Sequence, residues 1–382
     1  CMHEFVRAFQ HDNLDVIVCT EWRDARDADE WVRRWTGSLR GHAPDLTVLT
    51  DLWLAEYYRD TLALPGDLQE ELTVRLPESI LARGTHAHRL RGVPWTVATD
   101  ALYYRSDLFA EAGLAIPTTA EELVECAVTL ADPPEIYGFG MPGSGLGGEN
   151  VLHALASALG EMAPDEAGCI APTLPPFVEA LGLLVGMHSR GGLQPEVLTW
   201  SEVELADLMA QGRLGMMVGR PWVNAALLEA DRERRRELAD AEALGEVGAV
   251  RAEQLRAARI EWAQAPLPLT EQGAAHLSVD WLVVMRNTDV REPAMRFAHF
   301  MADEDRQRVL AMLGGVPATR ALAVELGGTP PWAGHTQGLE TARGLPLDQW
   351  EALSAQLGRA LSYAISGRRT PAEALERAGE SG

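Results

Sequence analysis

Tryptophans placed after short apolar runs are the residues of this chain whose positions most suggest chemistry. The chain has 11 Trp against 7 Phe. Three of the tryptophans follow runs that we predict as strands: Trp22, Trp53 and Trp222. Ligands of open α/β sheets collect at the carboxyl ends of strands. An indole plane covers the apolar C–H face of a pyranose, and Asp, Asn and Arg bind its hydroxyls. The pattern therefore predicts a carbohydrate site.

Polar residues beside these tryptophans extend the predicted site. Asp51 precedes Trp53 by two residues, and Asn224 follows Trp222 by two. The complete set of predicted ligand-binding residues is Trp22, Asp51, Trp53, Asp100, Trp222, Asn224, Asp280 and Trp281. Ordinary core positions are predicted for the other tryptophans considered, Trp31, Trp35 and Trp262.

The basic residues exclude several classes of enzyme. All 33 are Arg, so the 382-residue chain contains no Lys. Walker A loops, protein kinases and Schiff-base chemistry each need a Lys. The chain also lacks a GxSxG elbow and an HExxH pair. We expect no catalytic residue, no cofactor and no metal site. A carbohydrate-active enzyme stays open as the alternative, since paired carboxylates are defined by their distance in space.

Two local patterns resemble ligand motifs but have simpler interpretations. Gly143, Gly145 and Gly148 fit the GxGxxG dinucleotide pattern. An overlapping set of glycines fits it equally well, so we favour a loop whose backbone closely approaches a ligand or a neighbouring segment. His86 and His88 share a face if their segment is extended. With no third metal ligand suggested, we predict a surface strand pair.

Charge and cysteine content limit the partners and the compartment. The net charge is −23, with 56 acidic residues, so nucleic acid is not an expected partner. No apolar run is long enough for a transmembrane helix, and no signal-peptide pattern opens the chain. The four cysteines form no CxxC pair. Cys1 is either the lipid-bearing first residue of a lipoprotein or a fragment boundary.

Short strand-like runs alternate with helical periods, which predicts an α/β fold with largely parallel sheets. The predicted strands are Leu14–Cys19, Leu46–Thr50, two runs within Val93–Tyr104 broken near Thr99, Ile136–Met141, Leu214–Val218 and Trp281–Met285. The predicted helices include Met2–His11, Asp29–Leu39, Ser106–Ala112, Thr119–Ala131, Pro293–Met301, Asp303–Leu313, Leu347–Ile365 and Pro371–Ala378. A solvated helical pair is predicted for Ala230–Arg259.

A series of short motifs follows in one order along nearly the whole chain. They are Arg40–Leu46 (RGHAPDL), Gly92–Trp95 (GVPW), Ala101–Phe109 (ALYYRSDLF), Gly113–Pro117 (GLAIP), Met216–Trp222 (MMVGRPW), Ala265–Leu269 (APLPL), Gly314–Thr319 (GGVPAT) and Ser366–Ala378 (SGRRTPAEALERA). Each motif is weak alone. Their collinear order resembles the extracellular solute-binding proteins, family 1, which serve sugar ABC importers.

The resemblance implies a two-lobed periplasmic-binding-protein-like fold of type II, similar to maltose-binding proteins. Lobe one is expected to comprise residues 1–101 and 265–314, and lobe two residues 102–264 and 315–382, with a ligand cleft between them. The lobes are expected to close on a mono- or oligosaccharide about several hinge crossovers. The expected partners are a membrane permease and a separate ATPase. The resemblance also implies a monomer that is extracellular or periplasmic.

The resemblance also implies individual roles and two departures. Trp222 matches the family's sugar-stacking position, Trp281 a second aromatic position, and Asp51 and Trp53 a polar ligand-binding loop. The family often has Asp where this chain has Ala98, and Asp100 is expected to substitute for it. A strand that opens the family fold is missing, since residues 2–11 already read as a helix. We therefore expect an exposed strand edge in lobe one.

Two further alternatives remain at this stage. A sensor module would present the same lobes to a signalling partner. A non-sugar ligand, such as a polyamine or a peptide, would also fit a binding protein, and the acidic charge balance suits a cation.

Overall fold

The structure is a computed structural model that describes residues 2–22, 28–36, 43–143, 145, 147–165, 169–257, 260–268, 270–329, 331–339, 342–344 and 349–380. The chain divides into two compact units. Unit 1 holds the residues up to Val97 together with Leu277–Glu325, and unit 2 holds Ala98–His276 and the residues from Leu326 onward. Cys1 lies outside the described residues.

The chain passes between the two units at residues slightly different from the predicted lobe boundaries. Residues 265–276 belong to unit 2, because the amides of Thr270 and Ala274 donate hydrogen bonds to carbonyls at positions 158 and 157 of that unit. Residues 315–325 belong to unit 1, where the Val316 amide donates to the carbonyl of Val97. Backbone hydrogen bonds made far along the chain, rather than local sequence, decide these boundaries.

The helices and strands are numbered in chain order. The helices are α1 Met2–Asp12, α2 Ala28–Thr36, α3 Asp51–Tyr57, α4 Gly66–Arg75, α5 Glu78–Gly84, α6 Ser106–Ala112, α7 Ala120–Leu130, α8 Gly148–Leu159, α9 Pro175–Ser189, α10 Glu202–Ala210, α11 Trp222–Ala243, α12 Ala249–Ala257, α13 Arg291–Ala302, α14 Glu304–Met312, α15 Arg320–Leu326, α16 Ala333–Thr336, α17 Trp350–Ile365 and α18 Pro371–Gly379. The strands are β1 Leu46–Thr50, β2 Thr85–His86, β3 Arg89–Leu90, β4 Gly92–Thr99, β5 Ala101–Arg105, β6 Tyr137–Gly140, β7 Leu214–Gly219, β8 Trp262–Ala265 and β9 Leu277–Val284.

Unit 1 is built on a three-stranded sheet in the order β1-β9-β4. Strands β1 and β9 are antiparallel, with Leu46 opposite Val284 and Thr50 opposite Asp280. Among the described residues β1 pairs with no strand on its other side. Helix α1 has an apolar face because Phe5 and Phe9 lie four residues apart and are both buried. The Phe9 ring meets that of Phe297 edge-on at 5.0 Å, which holds α1 against α13.

The predicted strand Leu14–Cys19 is wrong, since this segment joins no sheet. Its alternating pattern survives, because Val16 and Val18 pack on the apolar cluster around Phe9 while Ile17 is 83% exposed. The Val18 amide donates to the side chain of Gln10 instead of to a neighbouring strand. A period-two pattern specifies which side chains face inward, but a strand also needs a partner to pair with.

Unit 2 contains a four-stranded sheet in the order β6-β7-β5-β8. Strand β5 is antiparallel to both β7 and β8, and β6 and β7 are the one parallel pair among the described strands of this sheet. The expectation of largely parallel sheets is therefore wrong for the described strands. Strand β8 reaches the edge of this sheet from far along the chain, so the direction of this pair is not set by a local strand–helix–strand unit.

Helices cover this sheet with an extended apolar core. The Thr119 hydroxyl accepts the Glu122 amide, and Glu122 reciprocates at the start of α7, as the capping-box pattern predicts. The core residues of α7, α8, α9, α17 and α18 belong to one continuous cluster. The predicted helical pair is α11 and α12, held together by ion pairs such as Arg251–Glu237 at 2.8 Å. The predicted helix ends at Leu39, Arg259 and Leu347 lie outside the described residues.

Candidate functional site

Asp100 is the centre of a buried polar cluster in unit 2. It lies between β4 and β5, where the chain turns from one strand into the next. One carboxylate oxygen lies 2.8 Å from Nδ1 of His276, and the other lies 3.6 Å from Nε of Arg220. Asp100 and His276 are both more than nine-tenths buried. The three residues are far apart in the sequence, and only the fold brings them together.

Burial alone would raise the pKa of Asp100. The hydrogen bond from His276 and the positive charge of Arg220 outweigh it, so the pKa of Asp100 is lowered. Asp100 is therefore an ionised acceptor at neutral pH. A carboxylate of this kind makes strong, charge-assisted hydrogen bonds with hydroxyl or N–H donors.

The pKa of Glu202, the first residue of α10, is raised instead of lowered. Burial raises the pKa of Glu202, and the charges of Asp100 and Glu149 act in the same direction. Arg220 and a hydrogen bond from Trp222 lower it, but they do not outweigh burial. Unit 2 thus holds two carboxyls with different proton affinities around one guanidinium, that of Arg220.

Trp222 is positioned by these groups. It is the first residue of α11 and follows β7 through the Arg220–Pro221 turn. Its indole N–H donates to the Glu202 carboxylate, and its ring is half-buried. A single hydrogen bond at one edge leaves the flat faces of an indole available for contact. Trp222 is therefore an aromatic ring held at its polar edge by Glu202, in the same group as Arg220 and Asp100.

A second buried layer supports this cluster. The hydroxyl of Tyr103 on β5 lies 2.8 Å from Nε2 of His335 and 3.0 Å from the carbonyl of Arg220. Nδ1 of His335 lies 2.8 Å from the carbonyl of Thr99. Burial lowers the pKa of His335 to about 4, so its ring is neutral near pH 7. These hydrogen bonds hold the backbone on both sides of Asp100 and at Arg220.

Aromatic contacts connect His276 to a tryptophan that sequence reasoning overlooked. The His153 ring on α8 meets the rings of His276 and Trp350 edge-on, at 4.7 Å and 5.6 Å. Trp350 begins α17 and is half-buried. It does not follow a strand, so the rule that selected the other tryptophans passed over it. Glu202, Arg220 and His276 were also missed, since nothing in their local sequence separates them from other charged residues.

The glycine-rich loop of the dinucleotide-like pattern lies beside this cluster. A side chain at Gly143 would come within 2.4 Å of the carbonyl oxygen of Leu198, so this glycine permits close backbone packing. Gly147 precedes α8 and lies against Glu202. The start of α8 and one side of α17 line a cavity of about 430 Å³ whose polar residues include Glu149, Ser354, Arg359 and Tyr363.

The predicted residues of unit 1 do not form a comparable arrangement. Asp51 is buried, and its Oδ2 accepts from Arg83 Nη2 at 2.7 Å and from the Val279 amide at 3.3 Å. Trp281 has 0% exposure, and its ring lies against Gly84. The carboxylate of Asp51 stabilises Arg83, and Trp281 offers no open face for stacking.

The remaining predicted residues have different environments. Trp53 is half-buried in the first turn of α3, Asp280 lies opposite Thr50, and Trp22 is 72% exposed. Asn224 of unit 2 is buried. Its amide donates to the carbonyl of Pro331 at 3.1 Å and accepts from Gln264. Of the predicted residues, Trp222 and Asp100 therefore belong to one interacting group in unit 2, through Glu202 and Arg220.

Neither a metal centre nor a membrane span is found in the described ranges. Across these residues no three His, Cys, Asp or Glu side chains are grouped as metal ligands would be. Of the described helices, none is both long and apolar enough to cross a bilayer.

Solved structures of binding proteins share this fold. The solute-binding protein of an ABC transporter from Thermotoga lettingae, bound to α-D-tagatose, superposes with a TM-score of 0.78 at 20% identity, covering 100% of this chain and 94% of that one. Maltose-bound MalE3 of T. maritima gives 0.75 at 21% identity, covering 100% and 94%. The fold is therefore the maltose-binding-like form of the type II periplasmic binding proteins.

Sequence comparison identifies the family. The profile of the bacterial extracellular solute-binding proteins matches residues 25–308. The mannitol-binding protein of Pseudomonas aeruginosa is 24% identical over 359 residues, which is 86% of this chain and 76% of that protein. A binding protein of Brucella abortus is 27% identical over 193 residues, covering 50% of this chain and 47% of its own length, so the match spans about half of that relative. This chain belongs to the bacterial extracellular solute-binding protein family.

Proposed function

We propose that this chain is the solute-binding component of a bacterial ABC importer and that its ligand is a sugar or a polyol. The observation that carries the proposal is that Trp222 and Asp100 belong to one interacting group in unit 2, linked through Glu202 and Arg220. The indole of Trp222 is oriented by Glu202, and the Asp100 carboxylate is kept ionised by His276 and Arg220. An aromatic ring and a charged acceptor in one group suit a molecule with C–H faces and hydroxyl edges.

Relatives support the same ligand class. The Pseudomonas relative is named for mannitol, and the two solved structures hold tagatose and maltose. Each of these ligands is a polyhydroxylated compound without a net charge. Their chemistry differs in ring form and length, so we propose the class of ligand for this chain and not a particular sugar.

The proposal includes a compartment and partners. The family is extracellular, and we propose that the protein acts outside the cytoplasmic membrane. There it would deliver its ligand unchanged to a permease driven by a separate ATPase. We also propose that Cys1 carries a lipid anchor and that the lobes close on the ligand about the chain crossovers. Binding of the ligand without its conversion distinguishes this proposal from the alternative of a carbohydrate-active enzyme.

The test is thermal unfolding of the protein against a panel of monosaccharides, disaccharides and polyols. A ligand present at about 100 times its dissociation constant adds about 2.7 kcal/mol to the free energy of unfolding. We expect a selective rise in the unfolding midpoint with one class of ligand, and recovery of that ligand intact. A shift with a polyamine but with no sugar or polyol would contradict the proposed ligand class, and conversion of an oligosaccharide would contradict the transport role.

Variants of Trp222 locate the site. Stacking contributes about 0.5–1.5 kcal/mol beyond area burial, so Trp222→Ala is expected to weaken binding at least about tenfold once the lost area is included. Trp222→Phe keeps an aromatic ring but removes the indole N–H that interacts with Glu202, so we expect an intermediate loss of affinity. Trp95→Phe, at a half-buried tryptophan packed on the apolar cluster of unit 1, is the matched control. Unchanged affinity in Trp222→Ala would remove this residue from the site.

A further inference from the structure

Arg91 of unit 1 carries a buried charge without a carboxylate partner in the described part of the chain. Three arginines there are buried, with relative exposures of 9% for Arg83, 8% for Arg91 and 7% for Arg105. Arg83 is paired with Asp51 and Arg105 with Asp107, each at 2.7 Å. Among the described residues, the hydrogen-bond acceptors of Arg91 are the carbonyls of His86 and Thr61, at 3.2 and 3.5 Å. Buried charges are ordinarily paired, so this exception needs a physical reason.

The surroundings of Arg91 make its charge more costly. Burial lowers the pKa of Arg91, and the positive charges of Arg286 and Arg89 lower it further. Arg59 belongs to the same group, since its guanidinium and that of Arg91 both lie over the Tyr58 ring, at 5.6 and 5.3 Å. We call Arg59, Arg89, Arg91 and Arg286 the arginine cluster. Within the described ranges, none of the four has a carboxylate oxygen within 4.0 Å.

Local backbone structure brings the four residues into one region of unit 1. Strands β2 and β3 form a hairpin, and its two turn residues, Ala87 and His88, have φ values of 50° and 60°. Such a turn fits hairpin twist but is unfavourable for residues other than Gly and Asn, so tertiary contacts must stabilise it. Arg89 and Arg91 both extend toward the segment after Tyr58, where Arg89 donates to the carbonyl of Leu64 at 3.2 Å.

Arg59 and Arg286 reach the cluster through a backbone connection. The amide of Arg286 donates to the carbonyl of Asp60 at 2.8 Å, and Leu62 donates to Val284 at 2.8 Å. These bonds place the segment of Arg59 beside the end of β9. A buried ring nitrogen, Nε2 of His86, adjoins the same group without a hydrogen-bond partner among the described residues. The His86 ring stacks on Tyr58 at 5.3 Å.

We propose that the arginine cluster is a binding site for a phosphate-type oxyanion. Four guanidinium groups repel one another unless a counter-charge lies among them. The chain supplies many acids, with a net charge of −23, yet within the described ranges none of them forms an ion pair with the cluster. Guanidinium forks match the tetrahedral oxygens of phosphate or sulfate bidentately. A free anion and the phosphate of a lipid headgroup share this chemistry. The site lies in unit 1, whereas Trp222 and Asp100 lie in unit 2.

The experiment measures binding of inorganic phosphate and of sulfate to chloride-exchanged protein by isothermal titration calorimetry, with no sugar present. Saturable binding at one site is expected. Arg59→Ala/Arg286→Ala changes only exposed members of the cluster, so folding should be retained, and a loss of affinity of at least about tenfold is expected. The matched control, Arg7→Ala/Arg236→Ala, removes the same charge from exposed positions elsewhere and is expected to bind as the parent does.

A second arm separates the two sources of the anion. The same proteins are mixed with vesicles of phosphatidylglycerol and with neutral vesicles of phosphatidylcholine, and binding is followed by co-sedimentation. Binding to anionic vesicles that the cluster variant loses, without binding of free phosphate, would assign the headgroup as the ligand. An equal loss in cluster and control variants, or no saturable binding in either arm, would overturn the proposal. The sugar panel gives an independent result in each case.

Discussion

The buried imidazole of His335 makes a measurable prediction about stability and pH. It is fully buried, with Nδ1 at 2.8 Å from the Thr99 carbonyl and Nε2 at 2.8 Å from the Tyr103 hydroxyl. Burial lowers its pKa from 6.5 to about 4, although the Thr99 hydrogen bond and the charge of Asp100 oppose the change. The unfolded chain binds this proton more readily than the folded one does. His335 therefore contributes stability above about pH 6.5, and that contribution is lost as the pH falls toward 4.

The magnitude follows from the two pKa values. Below the unfolded pKa, each pH unit removes up to about 1.4 kcal/mol until the folded pKa is reached. Between about pH 7.5 and about pH 5 the loss attributable to His335 is about 2 kcal/mol. His335→Gln cannot titrate in this range. Its free energy of unfolding should start lower at neutral pH, because two buried hydrogen bonds are altered, but it should fall by about 2 kcal/mol less on acidification.

Urea unfolding followed by tryptophan fluorescence, at both pH values, measures this difference. His3→Gln is the control for the loss of a histidine, since His3 is an exposed residue of α1. Comparing variants at each pH cancels the titrations that they share. Equal losses of stability in the parent and in His335→Gln would refute the argument that His335 is neutral and buried in the folded protein.

Three further substitutions test the packing, each measured by urea unfolding. Gly84→Ala should destabilise unit 1 by about 1–3 kcal/mol, because its Cβ would lie 2.5 Å from the buried Trp281 ring. Gly182→Ala, inside α9 with open space around it, should stabilise by about 0.5–1 kcal/mol. Asp51→Ala should cost about 3–5 kcal/mol, since Arg83 stays buried without this carboxylate.

Each of these expectations has a result that would contradict it. A neutral Gly84→Ala would mean that the indole can shift. A destabilising Gly182→Ala would show a neighbour closer than the structure places it. If Asp51→Ala and Asp51→Ala/Arg83→Leu were equally unstable, the loss would not come from a stranded charge, because the double variant removes the charge as well.

Local physics explains why much of the fold could be predicted. The break near Thr99 between β4 and β5, the capping box of α7 and the helix beginning at Pro371 are all written in neighbouring residues. Helix periodicity and capping act within a few residues, so sequence alone determines them. The same holds for the exclusion of lysine chemistry, and for the family, whose motifs lie in order along the chain.

Partners distant in sequence decided the rest. Leu14–Cys19 has the alternation of a strand but no strand to pair with. Trp222 and Trp281 are both predicted ligand-binding residues, yet Trp281 is fully buried against Gly84 of α5, whereas Trp222 is half-buried at the start of α11. Strand direction likewise depends on which segments meet, and β8 joins β5 from about 160 residues away.

Charge pairing shows this division between sequence and fold most clearly. The sequence determined that every basic residue is an arginine and that acids outnumber them, 56 to 33. It could not determine which arginines would be paired. The fold places Asp51 beside Arg83 and Asp100 beside His276, and leaves Arg91 among other arginines. Electrostatic energy depends on distance and burial, and only the tertiary structure sets both.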